Sequence, residues 1–254
     1  MTPNEQLEIT GNFRLPATTG IIMSGADRFI HNFGLENFFA GVNTGNLTMT
    51  GFGNVGVGEA ALSSNTTGFG NTDTGISALE ANTMGVHNTA TGESSLEGNT
   101  TGGENTATGS LALQSNTTGN NNTATGHSAM ARNTTGVNNT AVGRDAMLFN
   151  TTGVSNTAIG SAALSDNTNG KANTANGQAA RSNNTTGEEN TAAGFLALFF
   201  NTIGFANTAT GSNNTAIGHN ADVSQGDLTN FTAIGANAIV DGSNKIQLGD
   251  DNVT

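Results

Sequence analysis

Large apolar side chains recur in this chain every seventeen residues, at Leu62, Leu79, Leu96, Leu113, Met130, Met147, Leu164 and Leu198. Arg181 takes the same phase, and the residue before each member of the column is Ala or Ser. Polar phrases keep the same beat. An Asn-led phrase opens at Asn54 (NVGVG) and Asn71 (NTDTG), then at Asn88, Asn105 and Asn122 (NTATG). It continues at Asn139, Asn156, Asn173, Asn190 and Asn207. A second phrase, Asn-Thr-x-Gly, starts at Asn65, Asn82, Asn99, Asn116, Asn133, Asn150, Asn167, Asn184 and Asn201. The unit is N-T-A-T-G-x-x-A-L-x-x-N-T-T-G-x-x, and a fixed period of this kind marks a solenoid.

Thr favours strands and Gly tolerates tight corners. A Gly every seven to ten residues would cost a helix about 1 kcal/mol each. The unit therefore predicts two short strands and two turns, one coil of a parallel β-roll or β-helix. Coils stacked at about 4.8 Å place identical residues above one another, so the Asn and Thr columns become hydrogen-bonded ladders.

The core is thin. Burying one Leu yields about 1.5–3 kcal/mol, against about 1–2 kcal/mol to order each backbone residue. The expectation is a homotrimer in which three copies of the Leu/Met column share one central core.

Composition narrows the function. The 254 residues include 36 Gly, seven Lys and Arg, and no Cys, and the net charge is −12. An acidic chain without a basic stripe is a poor nucleic-acid ligand. No apolar run approaches a membrane span. The opening MTPNEQLEIT shows no signal peptide, so the expectation is a processed fragment or export by another route such as lysis.

NNTAIGHNA (213–221), FTAIGANAIV (231–240) and NKIQLGDDNVT (244–254) resemble head-domain repeats of trimeric autotransporter adhesins. The NTATG/NTTG array is similar to repeats of bacterial and phage surface-fibre proteins, often placed upstream of a self-cleaving trimerisation chaperone domain. The resemblance covers about residues 54–254, with a unit longer than the usual head repeat. It implies a left-handed parallel β-roll, assembled as a trimer and serving attachment.

Three regions follow. Residues 1–53 form an aromatic-rich N-terminal cap or attachment segment, 54–212 the regular solenoid, and 213–254 irregular head-like repeats with a closing neck. Asn214 follows Asn207 after seven residues, which predicts a dropped half-coil. Arg181 in the Leu column predicts either an axial anion site or an ion pair with a neighbouring carboxylate such as Asp166, or a side chain turned outward. Phe195, Phe199, Phe200, Ile203 and Phe205 crowd into one coil and predict either a contact patch or a thickened core.

Catalytic chemistry is not evident. His31, His87, His127 and His219 share no metal-ligand spacing and read as surface residues, and no cofactor motif is present. The leading expectation is a non-catalytic rod or head of a trimeric extracellular fibre on a cell, virion or particle. Its partners would be its own copies and a host-surface glycan or protein receptor. A second class is an ice- or flat-surface binder using the Thr72/Thr74, Thr89/Thr91, Thr106/Thr108 and Thr123/Thr125 pairs. A glycan-cleaving tailspike is the third, and it lacks an acidic pair held at one phase.

Overall fold

The computed structural model describes residues 21–24, 27–199, 211–224 and 227–250. The chain is all-β, a parallel β-solenoid of about 12 turns. Two lead-in strands, β1 (Ile21–Ser24) and β2 (Asp27–His31), pair antiparallel, and β2 pairs antiparallel with β3 (Phe38–Ala40). The regular strands are β4 (Val55–Val57), β5 (Thr72–Thr74), β6 (Thr89–Thr91), β7 (Thr106–Thr108) and β8 (Thr123–Thr125). They continue as β9 (Thr140–Val142), β10 (Thr157–Ile159), β11 (Thr174–Asn176) and β12 (Thr191–Ala193). The last are β13 (Thr215–Ile217), β14 (Asp222–Val223), β15 (Thr232–Ile234), β16 (Ile239–Val240) and β17 (Ile246–Leu248). Every pairing in the main sheet from β3 to β17 is parallel, and β14 pairs with β16 beside it. The seventeen-residue register reaches back to β3, where Phe38 pairs with Val55.

The core lies inside the single chain. Ala107 of β7, Ala112 and Leu113 point inward with no exposure, and the equivalent residues of neighbouring coils do the same. Leu62, Leu79, Leu96, Leu113, Met130, Met147 and Leu164 have no exposed surface, and Leu198 has 1%. The shared central core is thereby corrected: each chain encloses its own Leu/Met column, so this column leaves no apolar face to pool with other copies.

Buried asparagines supply what apolar area lacks. Asn88 Oδ1 accepts from both the backbone N–H (3.0 Å) and the side-chain Nδ2 (3.1 Å) of Asn105, one coil on. In the second ladder Asn116 Nδ2 donates to Asn99 Oδ1 at 2.8 Å. The two ladders converge on one carbonyl, because Gly119 O accepts from Asn105 Nδ2 (2.8 Å) and from Asn116 Nδ2 (3.0 Å). That junction explains the Gly of N-T-T-G: a Cβ there would stand 2.4 Å from Asn116 Oδ1 and from Gly136 O. Each bond adds about 0.5–1.5 kcal/mol net, whereas an unpaired buried group costs about 1–3 kcal/mol. Pairing all of them makes a polar interior tolerable.

From β4 to β12 only one of the two expected strands forms in each coil, whereas the coils of β13 and β15 carry a second, as β14 and β16. The second half carries alternating positive φ, as at Leu111 (62°) and Leu113 (52°), or Asp145 (57°) and Met147 (49°). Bulky residues rarely adopt this region. Here the alternation sends successive amides to opposite neighbours: Leu111 N–H donates back to Glu93 O (2.9 Å), and Leu113 N–H donates forward to Ala129 O (3.0 Å). The backbone thus stays bonded across the stack without being extended.

The expected half-coil deletion is also corrected. Thr191 pairs with Thr215, so β12 and β13 are joined by a coil seven residues longer than the unit. The Asn207 phrase and Asn201 lie outside the described residues. Asn190 Oδ1 accepts from Asn214 N–H at 3.2 Å, which carries the first ladder across the enlarged coil. The step from Thr232 to Ile246 is three residues shorter than the unit.

Two substitutions separate the contributions to stability. Leu113→Ala should cost about 2–5 kcal/mol in chemical denaturation, through a cavity in the column. Asn116→Leu, although more apolar, should also destabilise, by about 1–3 kcal/mol for each group it leaves unpaired. An unchanged denaturation midpoint for Asn116→Leu would contradict the ladder account.

Candidate functional site

The outer face of the main sheet is a regular surface that runs the length of the stack. In each three-residue strand the middle side chain points inward and the outer two point out, giving two parallel exposed columns. Thr pairs occupy both columns from β5 to β8. The second column then reads Val142, Ile159, Asn176, Ala193, Ile217, Ile234 and Leu248. Val142, Ile159, Ile217 and Ile234 are exposed, as is Val57 at the other end of the array. The fifth-position Gly closes each strand: at Gly109 (φ 131°) a Cβ would meet Gly126 O at 2.6 Å, so only Gly permits this stacking.

Arg181 sits in the Leu column of its own chain with no exposed surface. The axial and the outward placements are both corrected, since its own chain encloses it completely, and the carboxylate that acts on it is Asp222 and not Asp166. Its Nη2 donates to Asn184 Oδ1 (2.7 Å) and to Gly211 O (2.8 Å). Elsewhere in the array the next Asn of the second ladder makes both of these bonds, one to the preceding Asn and one to a Gly carbonyl. Arg181 thus completes the rung where the enlarged coil interrupts the period. Among the described residues its Nε and Nη1 have no hydrogen-bond partner. Burial lowers its pKa to about 9, with the nearby Asp222 carboxylate opposing that shift. Asp166 accepts from Ser165 Oγ (3.3 Å), and burial raises its pKa.

The phenylalanine cluster divides. Phe195 is 44% exposed and stacks on His219 with ring centroids 5.5 Å apart, so it does not thicken the core. Phe199 is half-buried, and its carbonyl accepts from Asn183 Nδ2 at 2.7 Å. Phe200, Ile203 and Phe205 lie outside the described residues. At the other end Phe52 stacks on Phe69 (5.0 Å), which meets His87 edge-on (5.0 Å). His87, His127 and His219 are exposed as expected, but His31 is a correction. It is 1% exposed, its Nε2 lies 2.8 Å from Thr44 O, and burial lowers its pKa.

Asp73 escaped the sequence reading. It takes the inward place that Ala holds in β6 to β13, is fully buried, and has no side-chain hydrogen-bond partner for either carboxylate oxygen among the described residues. Gly56, in the coil before, leaves it space: a Cβ there would lie 3.3 Å from Asp73 Oδ1. Desolvation raises its pKa well above the ordinary 3.8. The signal was present as NTDTG among the NTATG phrases. Among the described residues no group of His, Cys, Asp or Glu could hold a metal ion, and no helix is long and apolar enough to cross a membrane.

No family model, curated protein or solved structure matches the chain.

A carboxyl whose folded pKa is raised stabilises most below its unfolded pKa and loses that contribution as pH rises toward the folded value. Asp73→Ala should therefore raise the melting temperature at pH 7, leave it nearly unchanged at pH 3, and flatten the profile between. Arg181→Leu should destabilise by about 1–3 kcal/mol, because it unpairs Asn184 Oδ1 inside the core. A neutral effect at position 181, measured by denaturation, would remove its role in the ladder.

Proposed function

We propose that this chain is a non-catalytic attachment protein, the rod or head of a homotrimeric extracellular fibre on a cell or virion surface. One observation carries the reading: the exposed sheet face bears Val57, Val142, Ile159, Ile217 and Ile234 in a single column along the stack. A regular exposed surface with apolar members marks a contact site. The composition of the column also varies with height, from Thr in β5–β8 to Ile in β13 and β15. Cyclic assembly about an axis parallel to the stack sets every layer against its own copy, so apolar layers meet apolar layers and Thr layers meet Thr layers. The resemblance of the NNTAIGHNA and FTAIGANAIV phrases to trimeric adhesin heads supports an order of three and a left-handed roll. The interface thus moves from the Leu column, which each chain encloses, to the sheet face.

The mechanism is passive. A stack of about 12 turns at about 4.8 Å each is roughly 58 Å long. It holds binding surfaces away from the particle, and three copies act together on a host-surface glycan or protein. The acidic net charge keeps the remaining faces solvated.

A second reading has one specific observation in its favour. Four consecutive coils expose matched Thr pairs on a flat sheet, the arrangement an ice-binding surface would use. Thermal hysteresis of the purified chain should be absent under the fibre reading and present under this one.

Light scattering at several concentrations should give three times the 25.5 kDa chain mass. Ile159→Asp with Ile217→Asp should shift that mass to the monomer while the circular dichroism spectrum stays β-rich. A wild-type monomer would overturn the fibre reading.

A further inference from the structure

A groove runs along an edge of the solenoid that shares no residue with the sheet face. Its origin lies in the column that reads Ser64, Ala81, Gly98, Ser115, then Arg132, Phe149 and Asp166. Four small residues in succession leave an open groove of about 450 Å³. The adjoining column adds Glu80, Glu97 and Gln114 to its lining, and Gln114 Nε2 donates to Glu97 Oε2 at 2.8 Å. Three coils in a row then break with small residues and stack a cation, an aromatic ring and a carboxylate. The Arg132 guanidinium lies 4.8 Å from the centroid of the Phe149 ring, a contact that pins the ring in place. Phe149 and Asp166 line a second hollow of about 320 Å³ together with Thr168 and Thr185.

We infer that this edge binds a neutral glycan, lying along the rod with one sugar ring on Phe149. This inference rests on the attachment reading above and assigns its ligand. An aromatic face beside a carboxylate suits a pyranose, whose C–H face packs on the ring while its hydroxyls donate to the acid. The hollow at the ring is almost wholly apolar, as the C–H face of a sugar requires, with half-buried Asp166 at its side; Glu80 and Glu97 offer the hydroxyl acceptors along the groove. Successive acceptors one coil apart, about 4.8 Å, match a polymer that repeats its hydroxyls better than a single compact ligand. The groove volumes fall in the range of ligand sites, about 300–1,000 Å³. The same carboxylates, on a chain of net charge −12, repel sulfated or sialylated glycans.

Isothermal titration calorimetry of the full chain tests this with cellohexaose, maltohexaose, hexa-N-acetylchitohexaose and, as an anionic control, a heparin hexasaccharide. At least one neutral hexasaccharide should bind and heparin should not. Phe149→Ala should weaken binding at least tenfold at unchanged melting temperature. Glu97→Gln, at a half-exposed position away from the core, provides a second variant and should weaken it as well. Failure of all three neutral sugars to bind, binding unaffected by both substitutions, or equal binding of heparin would each overturn the inference. A trimer that ignores every sugar removes the glycan groove and leaves the fibre reading standing. A monomer that binds a neutral sugar through Phe149 does the reverse.

Discussion

A buried amide with all its hydrogen bonds made is the constraint on which this structure depends. From Asn54 to Asn173 each Asn of the first ladder receives two bonds from the next coil and reaches a Gly carbonyl fourteen residues ahead in the chain. These contacts work only when successive coils are in register. They hold the repeat at seventeen residues more strictly than apolar packing could, since a Leu column tolerates small shifts and an amide rung does not. The rest follows from this register: Ala is the inward residue of most strands, Gly closes each strand from β3 to β13, and Leu is driven into a positive-φ conformation to fill what remains.

The period, the all-β class and the inward Leu/Met column were legible in the sequence because a fixed interval forces equivalent residues into equivalent environments. Which chain encloses the column was not legible. Periodicity identifies residues that share surroundings, but it does not say whether those surroundings belong to one coil or to three. Counting apolar area alone made a single chain look marginal, because the satisfied interior amides were missing from the reckoning. The missing second strand of the regular coils has a similar cause. Nothing in the sequence of Leu111 or Leu113 announces a positive φ, which tertiary context imposes.

The irregular places show where sequence reading stops. Arg181 and Asn184 were visible as letters, but their relation depended on knowing that the following coil is enlarged. Asp73 is legible in principle as the sole acidic residue in the third place of the NTATG phrase, although the Thr on either side of it keeps the strand pattern unchanged. The column from Ser64 to Asp166 escaped because its first members are unremarkable singly and acquire meaning only when stacked.

Inside and outside are therefore under separate control. The inward positions are nearly uniform from coil to coil, while the outward ones at the strand face and the groove edge change freely. Shared register also bears on how such a chain can change length by recombination. A duplication or loss of one whole unit, three nucleotides for each of seventeen residues, joins ladder to ladder and moves the far end by about 4.8 Å. An unequal exchange of any other size leaves amides without rungs, and the enlarged coil before β13 shows what tolerating one entails: a charged side chain threaded through the core. Reach can thus vary between descendants of one gene in uniform steps, with every surface carried intact to a new height.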